Sequence, residues 1–159
     1  MRIPLSLRSL AMSLLAVVTC AACFAAVPDI YPGPEQAKID LAAALQTAAT
    51  SHRRVIVDFG GNWCPDCYVL DGYFHDRVNK PLLEAHFVLV HVNVGTFDQN
   101  LDIARRLEIP LKRGVPALAV LDDNGTLLYS QKGGEFEAMR RLQSDAVTQF
   151  LKQWMGASG

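Results

Sequence analysis

Two cysteines separated by a proline and an aspartate, Cys64-Pro65-Asp66-Cys67, are the residues best suited to chemistry in this chain. A thiolate can attack a disulfide sulfur, and a second thiol three residues on can then release the mixed disulfide so formed. As a structural staple the pair is poor, because the loop it closes is tiny and little chain entropy is removed. Cys64 follows a β-branched run and two glycines, at the point where a helix begins. There, unpaired backbone N–H groups and the helix dipole favour its thiolate. Pro65 suits an early helical position, since its missing N–H has no partner to lose. Zinc is open to any Cys-x-x-Cys pair but needs two further ligands. His52, His75, His86 and His91 are scattered, and no second such pair exists. A merely structural disulfide also stays open, whereas the redox reading asks for no cofactor and no metal.

The neighbouring elements must hold that pair in place. Arg54 to Phe59 reads as a buried strand ended by Gly60 and Gly61. From Glu35 a helix is expected, with Ala37, Leu41, Leu45 and Ala48 on one apolar face. From Cys64 the positions Cys67, Leu70, Phe74 and Val78 repeat with helical period until Pro81 interrupts, with a short second turn near Leu82 and Leu83. Phe87 to Val94 is almost continuously apolar, which predicts a central strand covered on both faces and carrying His91. Strand, helix, strand makes a parallel, right-handed crossover. A helix over Asp98–Leu107, with Leu101 and Ala104 facing in, precedes two strands, Ala117–Leu121 and Thr126–Ser130. Asp122-Asp123-Asn124-Gly125 joins these as a hairpin. Ser144 is expected to cap a last helix whose stripe is Val147, Phe150 and Trp154. Together these give an α/β sandwich with a mixed sheet.

The chain has 159 residues, 50% of them hydrophobic, which suffices for one packed domain. With 15 basic against 16 acidic residues there is no basic stripe to hold a nucleic acid. Arg2 and Arg8 are the only charges before Asp29, and the residues between Ser9 and Val27 are all apolar or small. Residues 1–26 therefore read as a secretory signal peptide, with cleavage after Ala25, or else as a retained membrane anchor or a lipoprotein signal at Cys20 or Cys23. After cleavage only Cys64 and Cys67 remain, in a compartment where thiols oxidise. Val27 to Pro34, with three prolines and a glycine, reads as an extended linker, and the domain follows over 35–159. No heptads are visible, so a monomer is assumed.

Val57-Asp58-Phe59, then Trp63-Cys64-Pro65-Asp66-Cys67, and later Gly114-Val115-Pro116 before a strand resemble the thioredoxin superfamily in spacing and order. The resemblance covers roughly Glu35 to Met155 and implies a three-layer sandwich, a central mixed β-sheet flanked by helices. Within the superfamily the chain is similar to bacterial periplasmic thioredoxin-like proteins, including the C-terminal domain of DsbD-type transporters, on Phe74 to Val78 before Pro81 and on Val92-Asn93-Val94. The resemblance implies that Pro116 is a cis-proline against the cysteines and that the backbone of Val115 pairs with substrate chain. It also puts Trp63 and Pro65 beside bound substrate. Asp58 aligns with the family's buried carboxylate, a proton acceptor for Cys67; the plainer reading is a strand-end carboxylate bonded to a backbone amide. The chain departs from thioredoxin at His91, where a lysine usually faces that carboxylate, and a neutral histidine supports Asp58 less. Gly60-Gly61-Asn62 likewise differs from thioredoxin's bulkier approach to the tryptophan.

Asp66 puts a negative charge beside the Cys64 thiolate, with no cation between the cysteines, and so opposes the thiolate. This predicts a reductase nearer thioredoxin, at about −270 mV, than DsbA, at about −120 mV. Disulfide-bonded client proteins and a membrane electron donor of the DsbD type are the expected partners, with the periplasm as compartment. The competing readings are a disulfide oxidase or isomerase, and a non-catalytic thioredoxin-fold module that holds metal or a client.

Overall fold

Alternation along the first strand sets the layers. In the computed structural model, which describes residues 27–156, β1 (Arg54–Gly60) is buried on both faces. Val55, Val57 and Phe59 pack with α1 (Ala37–Ser51) and α4 (Leu101–Arg106), while Ile56 packs with α2 (Pro65–Phe74), α3 (Asn79–His86) and α5 (Ser144–Trp154). The sheet between these layers has the order β2-β1-β3-β4, with β2 at Phe87–Asn93, β3 at Ala117–Leu121 and β4 at Leu127–Ser130. β1 and β2 are parallel and the other two pairings antiparallel, so the sheet is mixed and the fold class is the one expected. The export segment read at residues 1–26 lies outside the described residues. Among the described residues no helix is long and apolar enough to cross a membrane.

Several local expectations change. The strand of His91 is an edge strand among the described residues, not a central one. Its near-continuous apolar run reports helices covering both faces, and face burial says nothing about whether the edge is paired. Val78 is 57% exposed because α2 ends at Phe74, and the chain then turns on Asp76. One Asp76 oxygen accepts the N–H groups of Val78 and Asn79 at 2.8 and 2.7 Å. Pro81 does not interrupt a helix: it sits in the first turn of α3, where a missing N–H costs nothing. Ser144 does not cap α5 either, since its hydroxyl donates to Asp76 and so joins α5 to the α2–α3 turn. The helix expected from Asp98 begins at Leu101, after Asn100 in a left-handed conformation with φ 53°. That late start leaves Leu101 exposed while Ile103 and Ala104 face in.

The lead-in of residues 27–34 does not hang free of the domain. Asn62 accepts the N–H groups of Ile30 and Tyr31 on Oδ1, at 3.1 and 2.9 Å, and donates through Nδ2 to the Tyr31 carbonyl at 2.8 Å. Tyr31 is thereby held in the core at 2% exposure.

Candidate active site

β1 delivers the chain through Gly60 and a tight turn, in which Cys64 N–H donates to the Gly61 carbonyl at 3.0 Å. Cys64 is the N-cap of α2 in extended conformation, with Pro65 as the first helical residue. Its Sγ accepts the Cys67 N–H at 3.2 Å, using the sulfur as a capping acceptor where the helix leaves N–H groups unpaired. The two cysteines form a disulfide with Cα atoms 5.3 Å apart, inside the ordinary span for such a bond. Cys67 is fully buried and Cys64 nearly so, so Cys64 is the sulfur nearer to solvent.

Across from Cys64, the Val115-Pro116 peptide is cis, as the resemblance implied. The Val115 carbonyl oxygen lies 3.7 Å from Cys64 Sγ. Gly114, at φ 118°, makes the turn into this peptide in a region where a side chain would be strained. Gln131, fully buried, braces the far side by donating to the Pro116 carbonyl at 3.3 Å and accepting from Leu118 N–H at 3.2 Å. Trp63 is half exposed; its indole N–H donates to the Gly95 carbonyl at 2.7 Å, and its ring packs on Phe97 at 5.4 Å. Trp63, Pro65 and Val115 thus all border the disulfide, with apolar surface continuing to Phe97.

Asp58 has no exposure and lies directly across the β1–β2 register from His91. One oxygen accepts from Tyr31 Oη at 2.6 Å and pairs with His91 Nδ1 at 3.0 Å; the other has no hydrogen-bond partner among the described residues. His91 Nε2 reaches Asp71, on α2, at 3.6 Å. Burial by itself would lower the His91 pKa, but the Asp58 hydrogen bond and the charges of Asp58 and Asp71 outweigh it and raise it. The two carboxylates thus favour the charged form of the imidazole that the sequence reading took as neutral. Burial, then the Asp58 charge, holds the Tyr31 phenol well above its ordinary value, so the hydroxyl keeps its proton. Gly60 is required here, because a Cβ would overlap Tyr31 Oη and stand 2.7 Å from Cys67 Sγ.

Asp66 differs from its sequence reading. It is nearly buried, and one oxygen accepts the Arg140 backbone N–H at 2.8 Å while both oxygens take the guanidinium Nε at 3.1 Å. Burial pushes the Asp66 pKa up, but the Arg140 hydrogen bonds and charge, with Arg141 adding, bring it below its ordinary value. The lone negative charge expected beside the thiolate is therefore a neutralised pair. The sequence reading missed Arg140, which lies 74 residues away along the chain, and also Tyr31, Asp71 and Gln131. The signal for Tyr31 was present: an Ile-Tyr pair inside a proline-rich lead-in has apolar surface to bury.

Comparisons with known proteins agree with this geometry. Residues 36–123 match the family model described as Thioredoxin-like. A disulphide isomerase structure from Xylella fastidiosa Temecula1 is 30% identical, with a TM-score of 0.76, over 80% of this chain and 98% of that one. A thioredoxin from Thermus thermophilus is 26% identical at a TM-score of 0.52, over 77% and 83% of the two chains. A structure titled DsbH oxidoreductase shares the fold at 20% identity and a TM-score of 0.54, over 70% of this chain and 78% of that one. No curated protein sequence matches the chain significantly. Among the described residues no group of three or more His, Cys, Asp or Glu is arranged to hold a metal ion.

Proposed function

The chain belongs to the thioredoxin-like family as a thiol–disulfide oxidoreductase, and from that premise we propose that it is an exported reductant of protein disulfides. In the reduced protein the Cys64 thiolate attacks one sulfur of a client disulfide, and the other client sulfur leaves as a thiolate. Cys67, deprotonated, then attacks Cys64 Sγ, which breaks the bond to the client and regenerates the Cys64–Cys67 disulfide. Two electrons pass from the dithiol to the client. Trp63, Pro65 and the Val115 backbone receive the client chain beside the disulfide, with the Val115–Pro116 peptide as its edge.

The observation carrying the direction of flow is Asp58. A strong oxidant is one whose reduced form is stabilised, through a thiolate held by favourable charge. Asp58 and Asp71 set two carboxylates against the one imidazole of His91, so this side of the site holds no net positive charge to stabilise a thiolate, and the Asp66–Arg140 pair contributes little in either direction. The reductant is recharged by a membrane donor of the DsbD type, acts in the periplasm as a monomer, and reaches it through the signal peptide at residues 1–26. The isomerase reading is favoured by one finding, the 30% identity to a protein titled a disulphide isomerase.

Equilibration of the protein against glutathione measures the Cys64–Cys67 potential. A value below about −230 mV supports the reductant, and one above about −180 mV makes the protein an oxidant or isomerase. Cys67→Ser should trap clients as mixed disulfides on Cys64.

A further inference from the structure

The polar group that faces Cys67 across Gly60 is the Tyr31 hydroxyl, and Asp58 is hydrogen-bonded to it. The site of a hypothetical Cβ on Gly60 lies under 3.0 Å from both Tyr31 Oη and Cys67 Sγ, so these two atoms share one small gap. The Tyr31 hydroxyl spends its hydrogen on Asp58 at 2.6 Å, which leaves its oxygen lone pairs free to accept from a thiol. We propose that Tyr31 relays the proton of Cys67 to Asp58 when the mixed disulfide is resolved. The proposal rests on the thiol–disulfide exchange reading above and adds a residue from outside the strand-turn-helix unit that carries the cysteines.

The step balances. The Cys67 thiol proton moves to Tyr31 Oη as the Tyr31 proton moves to Asp58, so the tyrosine ends unchanged and the carboxylate gains one proton. The Cys67 thiolate then forms the bond to Cys64 Sγ and the client sulfur leaves with the electron pair of the broken bond. The groups facing Tyr31 are Asp58 from β1, His91 from β2, whose ring lies 5.0 Å away edge-on, and Cys67 and Asp71 from α2. The high pKa of the phenol suits a group that passes a proton without losing its own. The Asn62 clamp on the Ile30 and Tyr31 backbone fixes the hydroxyl on its short hydrogen bond to Asp58 and facing the gap that Cys67 Sγ shares, as a relay requires.

The test uses the reduced protein, oxidised glutathione as the disulfide, and acid quenching, with the Cys64–glutathione adduct followed by mass. Tyr31→Phe keeps the ring and removes only the hydroxyl. The expected result is an unchanged rate of adduct formation and adduct decay slowed by about tenfold or more. In the wild-type protein, decay rates in mixtures of light and heavy water should depend on the deuterium fraction with the curvature of two protons in transit. A merely structural tyrosine would not produce that curvature, and the measurement does not depend on the variant folding. Decay at the wild-type rate in Tyr31→Phe overturns the relay, and so does a linear dependence in the wild type. Both steps proceed with glutathione whether the protein serves as reductant or oxidant, so the equilibrium potential tests that reading separately.

Discussion

Asp58 and Asp66 belong to the two elements that meet at one disulfide, the first on β1 and the second between the cysteines on α2. Both are nearly or wholly removed from water. Asp66 has both oxygens engaged by one arginine, whose side chain is 63% exposed, and by that arginine's backbone N–H. Asp58 meets a phenol and an imidazole on one oxygen, while its other oxygen has no partner among the described residues. A carboxylate saturated by a guanidinium has no reason to take up a proton, and serves to tie the 139–141 turn onto α2. One hydrogen-bonded to a hydroxyl that faces a buried sulfur can accept a proton passed along that bond. The environment, and not the residue type, separates the tether from the proton acceptor.

The largest expected effect breaks or keeps this contrast directly. Asp58→Asn should slow resolution of the glutathione adduct about a hundredfold, while Asp66→Asn should leave that rate where it was. Equal losses in the two variants would show that the contrast is wrong. Gly60→Ala comes next: its Cβ must displace Tyr31 or Cys67, which should cost roughly 1–3 kcal/mol in urea unfolding and slow resolution as well.

Asp66→Asn should lower stability by about 1 kcal/mol, since a charge-assisted hydrogen bond is lost while its exposed partner is screened by solvent. Because the folded pKa of Asp66 is lowered, its contribution is present above the unfolded carboxylate value and is lost as pH falls through the folded one. Urea midpoints taken between about pH 5 and pH 2 should therefore converge for wild type and variant. The smallest effect is on the other side. His91 has a raised folded pKa, so its contribution is complete below about pH 6.5 and is lost as pH rises through the folded value. His91→Gln should flatten the melting temperature between pH 6 and pH 9, and an unchanged slope would mean that the charged imidazole is not what Asp58 and Asp71 hold.

The sequence made the scaffold of the site legible because that scaffold is local. A β-branched run, two glycines and Cys-Pro-Asp-Cys specify strand, turn and helix within fourteen residues, 54–67. Apolar periodicity likewise placed α1, α5 and the β3–β4 hairpin close to where they lie. His91 opposite Asp58 was legible only through the resemblance, whereas Tyr31 and Arg140 were not legible, because they reach the two aspartates across 27 and 74 residues. Charge patterning within the motif led to an Asp66 with no counter-ion, since the counter-ion comes from a turn without any periodic signature. The placement of β2 failed for a related reason: apolar faces leave the hydrogen-bonding edges of a strand unspecified.

The β2 edge, open among the described residues, has a consequence for how the molecule lives among its own copies. An unpaired strand offers a row of N–H and C=O groups on which another chain can nucleate. Beside the end of β2 stands the proline-rich lead-in, its Pro32 carbonyl taken by Asn93 at 2.9 Å and its Pro34 carbonyl by Asn100 at 2.9 Å. Prolines carry no N–H, so a segment built from them can shield a sheet margin without becoming a template in turn. The same eight residues that bring a phenol to the sulfurs also stand at one end of that margin. Loosening that clamp would therefore bare the end of β2 as well as unsettle the phenol.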